Sequence, residues 1–303
     1  MTEPDIVRFD SPTERRNPRT RDIDERSTLG ILELLNAEDA TVASAVAAVL
    51  PALAELVDRA LERYENGGTI HYVGAGTSGR IAVMDAAELP PTYAIAPGRV
   101  IAHHAGGDQA LVGSLEGIED QGAAGRSELD AVRAHDVVIG LAASGRTPYV
   151  AGGLELARGR GALTALVTAN PGSPLIPAVD VALVVDTGPE PIAGSTRMKA
   201  GTAQKLVLNA FSTALMVRLG TTYSNLMVEV EPSNAKLRGR VLSILTEATG
   251  EPVERCEARL REAEGATKVA LVSLLGEVPV ERARAAIERS GGRVRTALDL
   301  LRA

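Results

Sequence analysis

Five short apolar runs punctuate the first two thirds of the chain and constrain its fold more than any other feature. Residues 69–75 (TIHYVGA), 99–105 (RVIAHHA), 136–144 (DVVIGLAAS), 163–169 (LTALVTA) and 179–186 (VDVALVVD) are apolar rather than alternating. Parallel strands buried on both faces have this pattern. Helical periodicity separates most of the runs, and strand–helix alternation of this kind gives an α/β fold, a three-layer αβα sandwich. The 303 residues suffice for one large domain, or for such a domain and a smaller one.

Helical patterns frame the runs. Ser27 is placed to cap a helix whose Leu29, Leu32 and Leu35 share one face. A second helix is expected from about 38 to 64, broken or kinked near Pro51, with Asn66-Gly67-Gly68 as its stop. A long one is expected over about 199–218. Beyond Glu231-Pro232 the chain reads as all helical, with turns at Gly250-Glu251-Pro252, Gly265, Gly276 and Gly291-Gly292. This tail repeats itself at an offset of 27: Val253-Glu254-Arg255 matches Val280-Glu281-Arg282, Leu260 matches Ile287, Gly265 matches Gly292, and Ala270-Leu271 matches Ala297-Leu298. Each copy is too short to fold alone. The expected organisation is therefore a sheet-bearing domain over 1–230 and a small helical domain over 231–303. The first 26 residues are polar, rich in Pro and Arg, and are expected to form a solvated arm, because Asp22, Asp24 and Glu25 interleave with the basic residues.

Composition narrows the function classes. Aromatic residues make up 2% with no Trp, which argues against base stacking and a nucleic-acid partner. No stretch approaches the ~18 apolar residues of a membrane span. The N-terminal MTEPDIVRFDSPTERR has no apolar signal core, and Cys256 is alone, so a cytoplasmic protein without disulfides is expected. His71, His103, His104 and His135 show no metal-ligand spacing; His71 reads as structural, while His103-His104 ends a strand on the edge where a ligand could bind.

Two loops carry the chemical signal. Gly74-Ala75-Gly76-Thr77-Ser78-Gly79-Arg80 follows a strand and opens a helix. Its glycines let backbone amides approach an anion, the helix start favours negative charge, and Thr77 and Ser78 add hydroxyl donors. The same glycines satisfy a dinucleotide fingerprint, but the acidic residue that reading needs at the end of the second strand is missing: His103-His104 stands there and Asp108 comes late. Ala143-Ser144-Gly145-Arg146-Thr147-Pro148 is a second Ser/Thr-rich loop between a strand and a helix. Two such loops at the carboxyl edge of one sheet favour a sugar-phosphate pocket. Gly194-Ser195-Thr196-Arg197-Met198-Lys199 precedes the long helix and suits an anion or a plain cap equally.

Three carboxylates lie near these loops. Glu88 precedes Leu89-Pro90-Pro91, which reads as a helix C-terminus, where the negative end of the helix dipole favours the acid form. A straight helix carries it roughly 13 Å from the glycine loop, so a shorter helix or a neighbouring subunit's site is required. Glu116 and Glu119 are three apart and are expected to share a helical face.

GAGTSGR, DAAELPPTY, EGIED, AASGRTPYV, NPGS and GSTRMKAGTAQKLVLN occur in this order. Together with the N-terminal IDERSTLGILELLNAED and the helical tail, they closely resemble N-acetylmuramic acid 6-phosphate etherases over nearly the whole chain. The resemblance implies a sugar isomerase (SIS) domain with a five-stranded parallel sheet, a small ubiquitin-associated-like helical domain, and a homodimer. It implies cleavage of the D-lactyl ether of N-acetylmuramic acid 6-phosphate, in recycling of cell-wall sugars, without metal or cofactor. By match to the family's motifs, Glu88 takes the place of the catalytic acid and Glu119 of the second catalytic carboxylate. The substrate would then be held by Gly76, Thr77, Ser78 and Gly79, by Glu116, by Ser144, Gly145 and Thr147, and at the rim by Ser195 and Lys199. The rival readings are a non-catalytic sugar-phosphate-binding regulator, as in the related glucokinase regulatory proteins, and an aldose–ketose isomerase of the same fold.

Overall fold

The five apolar runs form one parallel sheet. In the computed structural model, which describes residues 11–113, 115–229 and 235–302, the strands are β1 (Ile70–Gly74), β2 (Val100–His104), β3 (Val137–Leu141), β4 (Leu163–Thr168) and β5 (Val181–Val184). Their order across the sheet is β2-β1-β3-β4-β5. The chain leaves β1 in one direction to form β2 and returns to its other side to form β3. Loops leaving the carboxyl ends of β1 and β3 are thus neighbours, with Gly74 paired to Leu141. A switch of this kind opens a crevice at the carboxyl edge.

Helices α1 (Thr28–Asp39), α2 (Val42–Ala47) and α3 (Leu50–Glu65) precede the sheet, and α4 (Gly76–Tyr93) follows β1. Between β2 and β3 lie α5 (Gly107–Val112) and α6 (Gly122–Glu128); α7 (Pro148–Gly159) joins β3 to β4, and α8 (Lys199–Arg218) follows β5. Adjacent side chains of a strand point to opposite faces, and β1 shows what each face meets. Val73 shares a core cluster with Leu129 and with Tyr149, Val150 and Leu154 of α7. On the other face the Tyr72 hydroxyl donates to Asp85 of α4 at 3.0 Å, and its ring meets Phe211 of α8 edge-on. These are the three layers the sequence predicts.

Small residues let α6 and α7 touch backbone to backbone. A Cβ on Gly125 would stand 1.9 Å from the Tyr149 carbonyl oxygen, and one on Gly152 would stand 2.1 Å from that of Gly122.

The expected break near Pro51 falls at Ala48–Val49, and Pro51 sits in the first turn of α3, where its missing N–H costs nothing. In α1, Leu29 and Leu32 do share a face, but they are 64% and 58% exposed; the residue that α1 buries is Glu38. Among the described residues no single helix is long and apolar enough to cross a membrane.

The chain divides into two compact units, one of residues 11–86 and 98–211, the other of 87–97 and 212–302. The second unit therefore takes in the segment that contains Glu88, and the expected boundary at 230/231 lies inside it. Its helices are α9 (Ala235–Thr249), α10 (Val253–Glu262), α11 (Thr267–Leu275), α12 (Val280–Arg289) and α13 (Val294–Arg302), with a two-stranded hairpin, β6 (Thr222–Tyr223) and β7 (Leu226–Met227), that the sequence reading did not anticipate. The 27-residue repeat is structural: Gly265 donates to the Leu260 carbonyl and Gly292 to that of Ile287, both at 2.9 Å and both with positive φ. Each bond closes the helix before a second one, and Ala270, Leu271, Ala297 and Leu298 enter one core.

Candidate active site

At the crevice, β1 ends at Gly74 and α4 begins two residues later. Gly76 turns the chain at φ +54°, a conformation that suits glycine. Gly79 is needed for a different reason: a Cβ there would lie 2.6 Å from the Gly74 carbonyl oxygen and 2.5 Å from the His104 ring. Gly79 thus lets α4 start hard against the sheet, while Thr77 and Ser78 supply hydroxyls, Thr77 half-buried and Ser78 buried.

The second loop is braced from behind. Gly145 adopts φ +65°, and a Cβ on it would strike Ser173 Oγ at 2.2 Å. Ser173 Oγ donates to the Gly145 carbonyl at 2.6 Å, and Asn170 Nδ2 donates to that of Ser144 at 2.9 Å. Asn170 and Ser173 belong to the NPGS motif, whose role the sequence reading left open. Ser144 Oγ accepts from the Arg146 amide at 3.3 Å; Thr147 stands at the start of α7 with its hydroxyl unused as a cap.

A cavity of about 370 Å³ opens beside the first loop, lined in part by Gly76, Arg80, His104, Glu116, Ile118 and Glu119. Glu116 and Glu119 share it, though not by sharing a helix face. Residues 116–120 form turns and a bend, because Gly117 takes φ +71° and interrupts any helix. The Glu119 carbonyl accepts from the Tyr149 amide at 3.0 Å, which docks this segment on the first turn of α7. Glu119 itself is exposed. His104 also faces the cavity, with Nε2 3.2 Å from the Gly76 carbonyl oxygen and Nδ1 2.8 Å from that of Ala105.

Two expectations need correction. The helix carrying Glu88 does not end before the proline pair. It runs through Pro90 and Pro91 to Tyr93, so Glu88 lies outside its last turn and the dipole argument for its acid form lapses. Glu88 is exposed. The second correction concerns the start of α8. There the anion is the chain's own: the Glu190 carboxylate accepts from the Lys199 and Ala200 amides at 2.8 and 2.9 Å. Burial raises its pKa, partly offset by those amides and by Lys199. Lys199 is fully buried, its Nζ 2.7 Å from Glu38, so it does not reach a ligand's rim. Ser195 is half-buried in the same segment.

The solvated arm is also revised. Ser11, Thr13, Asn17 and Thr20 are buried. Asn17 donates to Glu38 at 2.8 Å and to the Pro189 carbonyl at 3.2 Å; Thr20 donates to that of Pro191, and the Gly194 amide to that of Thr13, both at 2.8 Å. Arg19 pairs with Glu38 through both Nε and Nη2. Its guanidinium comes first, with Lys199 and Asn17 assisting, in holding the Glu38 carboxyl at about 2 against burial. The arm thus straps the segment that leads into α8.

The chain matches the family models of the glucokinase regulatory protein N-terminal SIS domain over residues 52–158 and of the SIS domain over 118–214. It superposes on a phosphoheptose isomerase from Francisella tularensis with a TM-score of 0.51, at 20% identity, covering 63% of this chain and 100% of that one. The sheet and its carboxyl-edge loops are accordingly a sugar isomerase (SIS) domain. Among curated proteins the chain is 62% identical over 271 residues to the N-acetylmuramic acid 6-phosphate etherase of Thermobifida fusca (strain YX), covering 89% of this chain and 88% of the relative. It is 48% identical over 289 residues to that of Cutibacterium acnes, covering 95% of each. The chain belongs to the N-acetylmuramic acid 6-phosphate etherase family.

Proposed function

We propose that this protein is a carbon–oxygen lyase that cleaves the D-lactyl ether of N-acetylmuramic acid 6-phosphate, giving N-acetylglucosamine 6-phosphate and D-lactate, in cytoplasmic recycling of cell-wall amino sugars. The family membership carries this reading. The cavity that joins Glu116 and Glu119 to the glycine loop fits it. The phosphate is held by Gly76, Thr77, Ser78 and Gly79 and by Ser144, Gly145 and Thr147, with Ser195 at the edge.

The lactyl oxygen sits on carbon 3, and in the open-chain sugar the aldehyde acidifies the proton on carbon 2. Glu119 takes that proton. Glu88, as the general acid, gives one to the departing lactate oxygen as the C3–O bond breaks. Water then adds across the C2–C3 double bond and restores the hydroxyl. Each carboxyl contributes on the order of 10²–10⁴-fold.

Glu88 follows the glycine loop by more than two turns of α4, which favours a site completed by a second subunit of a homodimer. The exposed Leu29 and Leu32 supply apolar surface for such a partner. The test begins with D-lactate release, measured with chelator present and the unphosphorylated sugar as control. Release from the phosphorylated sugar alone is expected; binding without release moves the weight to a regulator or an isomerase. Glu88→Gln and Glu119→Gln should each abolish turnover and leave binding largely intact. Mixing and re-associating the two inactive variants should restore about one quarter of the wild-type rate, since half of the dimers are hybrid and each holds one complete site. No recovery places both carboxylates on one chain.

A further inference from the structure

Arg80 closes the GTSGR motif and, beside a phosphate cradle, invites reading as a phosphate ligand. Its hydrogen bonds point elsewhere. Nε donates to the Leu111 carbonyl at 2.9 Å, and Nη2 donates to those of Ala110 and Gly113 at 2.7 and 2.6 Å. All three oxygens belong to the last turn of α5 and its C-terminal cap, where a helix leaves carbonyls without partners. The Nε–Nη2 edge, with which a guanidinium grips a phosphate or carboxylate side-on, is fully taken.

The helix it holds has little else to fix it. α5 has six residues, too few to persist by propensity. Ala110 is its one buried residue, and Val112 is 95% exposed. Immediately beyond Gly113 comes the turn segment of Glu116 and Glu119. Its far end is anchored by the Tyr149 amide on the Glu119 carbonyl, and Ile118 packs over Gly106, where a Cβ would lie 2.6 Å from Ile118 Cδ1. Arg80 supplies the near anchor, on a rigid helix that starts in the glycine loop.

We propose that Arg80 is a positioning residue: by clamping the carbonyls of Ala110, Leu111 and Gly113 it sets the carboxylate of Glu119 against the sugar held at Gly76. This rests on Glu119 acting as the base in the reaction proposed above. A misplacement of about 1 Å can cost on the order of 10²-fold in rate, and a clamp that sets the base rather than binding phosphate acts on kcat rather than KM.

The experiment uses full-length Arg80→Ala and Arg80→Lys, the latter keeping the charge but not the fork. Five quantities are read: kcat and KM for D-lactate release, inhibition by N-acetylglucosamine 6-phosphate, amide hydrogen exchange, and rescue of Arg80→Ala by guanidinium ion. The expected result is kcat lower by about 10²-fold with KM changed less than about threefold. Inhibition should be unchanged, exchange faster only within 107–120, and activity partly restored by guanidinium. Inhibition weakened tenfold or more with exchange unchanged over 107–120 would make Arg80 a phosphate ligand and overturn the proposal, as would an unaltered kcat. Should wild-type protein release no lactate, the proposed reaction fails. The clamp is still decided by exchange in Arg80→Lys: unchanged protection over 107–120 refutes it.

Discussion

Glu38 offers the sharpest quantitative test of how this chain is held together. Its carboxylate is buried and gathers Asn17 and Arg19 from the N-terminal arm and Lys199 from the start of α8. Lys199 is wholly buried, and the other nearby carboxylate, Glu190, is occupied by backbone amides. Glu38→Gln keeps the shape and removes the charge, leaving the ammonium of Lys199 without a hydrogen-bonded counter-ion. Breaking a buried pair in this way costs about 3–5 kcal/mol. The pKa gives a second route to the magnitude. A carboxyl held at about 2 rather than 4.5 contributes about 3 kcal/mol of native stability. The folded pKa is depressed, so this contribution is complete above pH 4.5 and is lost as pH falls towards 2. Urea unfolding of wild type and Glu38→Gln should therefore differ by about 3 kcal/mol at pH 7, with Tm lower by about 6–12 °C, and the difference should shrink from pH 4.5 downward. The double variant Glu38→Met/Lys199→Met removes both charges and should recover most of the loss. A loss below about 1 kcal/mol, a difference independent of pH between 5 and 3, or a double variant no better than Glu38→Gln would each refute the argument.

Further tests address the sheet and its loops. Gly79→Ala places a Cβ against the Gly74 carbonyl and the His104 ring, and should cost about 1–3 kcal/mol in urea unfolding; wild-type stability would show that α4 can move off the sheet. His71 is buried and stacked on His103, with Nδ1 3.0 Å from His103 Nε2. Burial, and then His103, push its pKa down to about 4. Its contribution to stability is therefore present above pH 6.5 and lost as pH falls towards 4. An NMR titration should find its midpoint well below that of a free imidazole, and a midpoint at or above 6.5 contradicts the burial argument.

What the sequence made legible follows from how each feature is encoded. The strands announced themselves because burial on both faces leaves a continuous apolar run, and the loops because glycine and hydroxyl residues at a strand–helix junction are rare in combination. The tail's repeat survived translation into structure because the same C-terminal glycine closes both copies, at Gly265 and Gly292. The missed features share another cause. Asn17 meets Pro189, Asn170 meets Ser144 and Arg80 meets Gly113 through single hydrogen bonds across 172, 26 and 33 residues. Such bonds have no period and no composition. Lys199 was misread for a related reason: a lysine at a helix start suits an external anion, and only the fold reveals that Glu38 and Glu190 already stand there. Strands and glycine turns place the two glycine loops, whereas the carboxylate-bearing segment depends on long-range side-chain-to-backbone bonds. In this fold the loops proposed to bind are therefore written locally, and the segment proposed to carry the base is written in tertiary contacts. Substitutions that break only those tertiary bonds, at Arg80 above all, should accordingly separate turnover from binding.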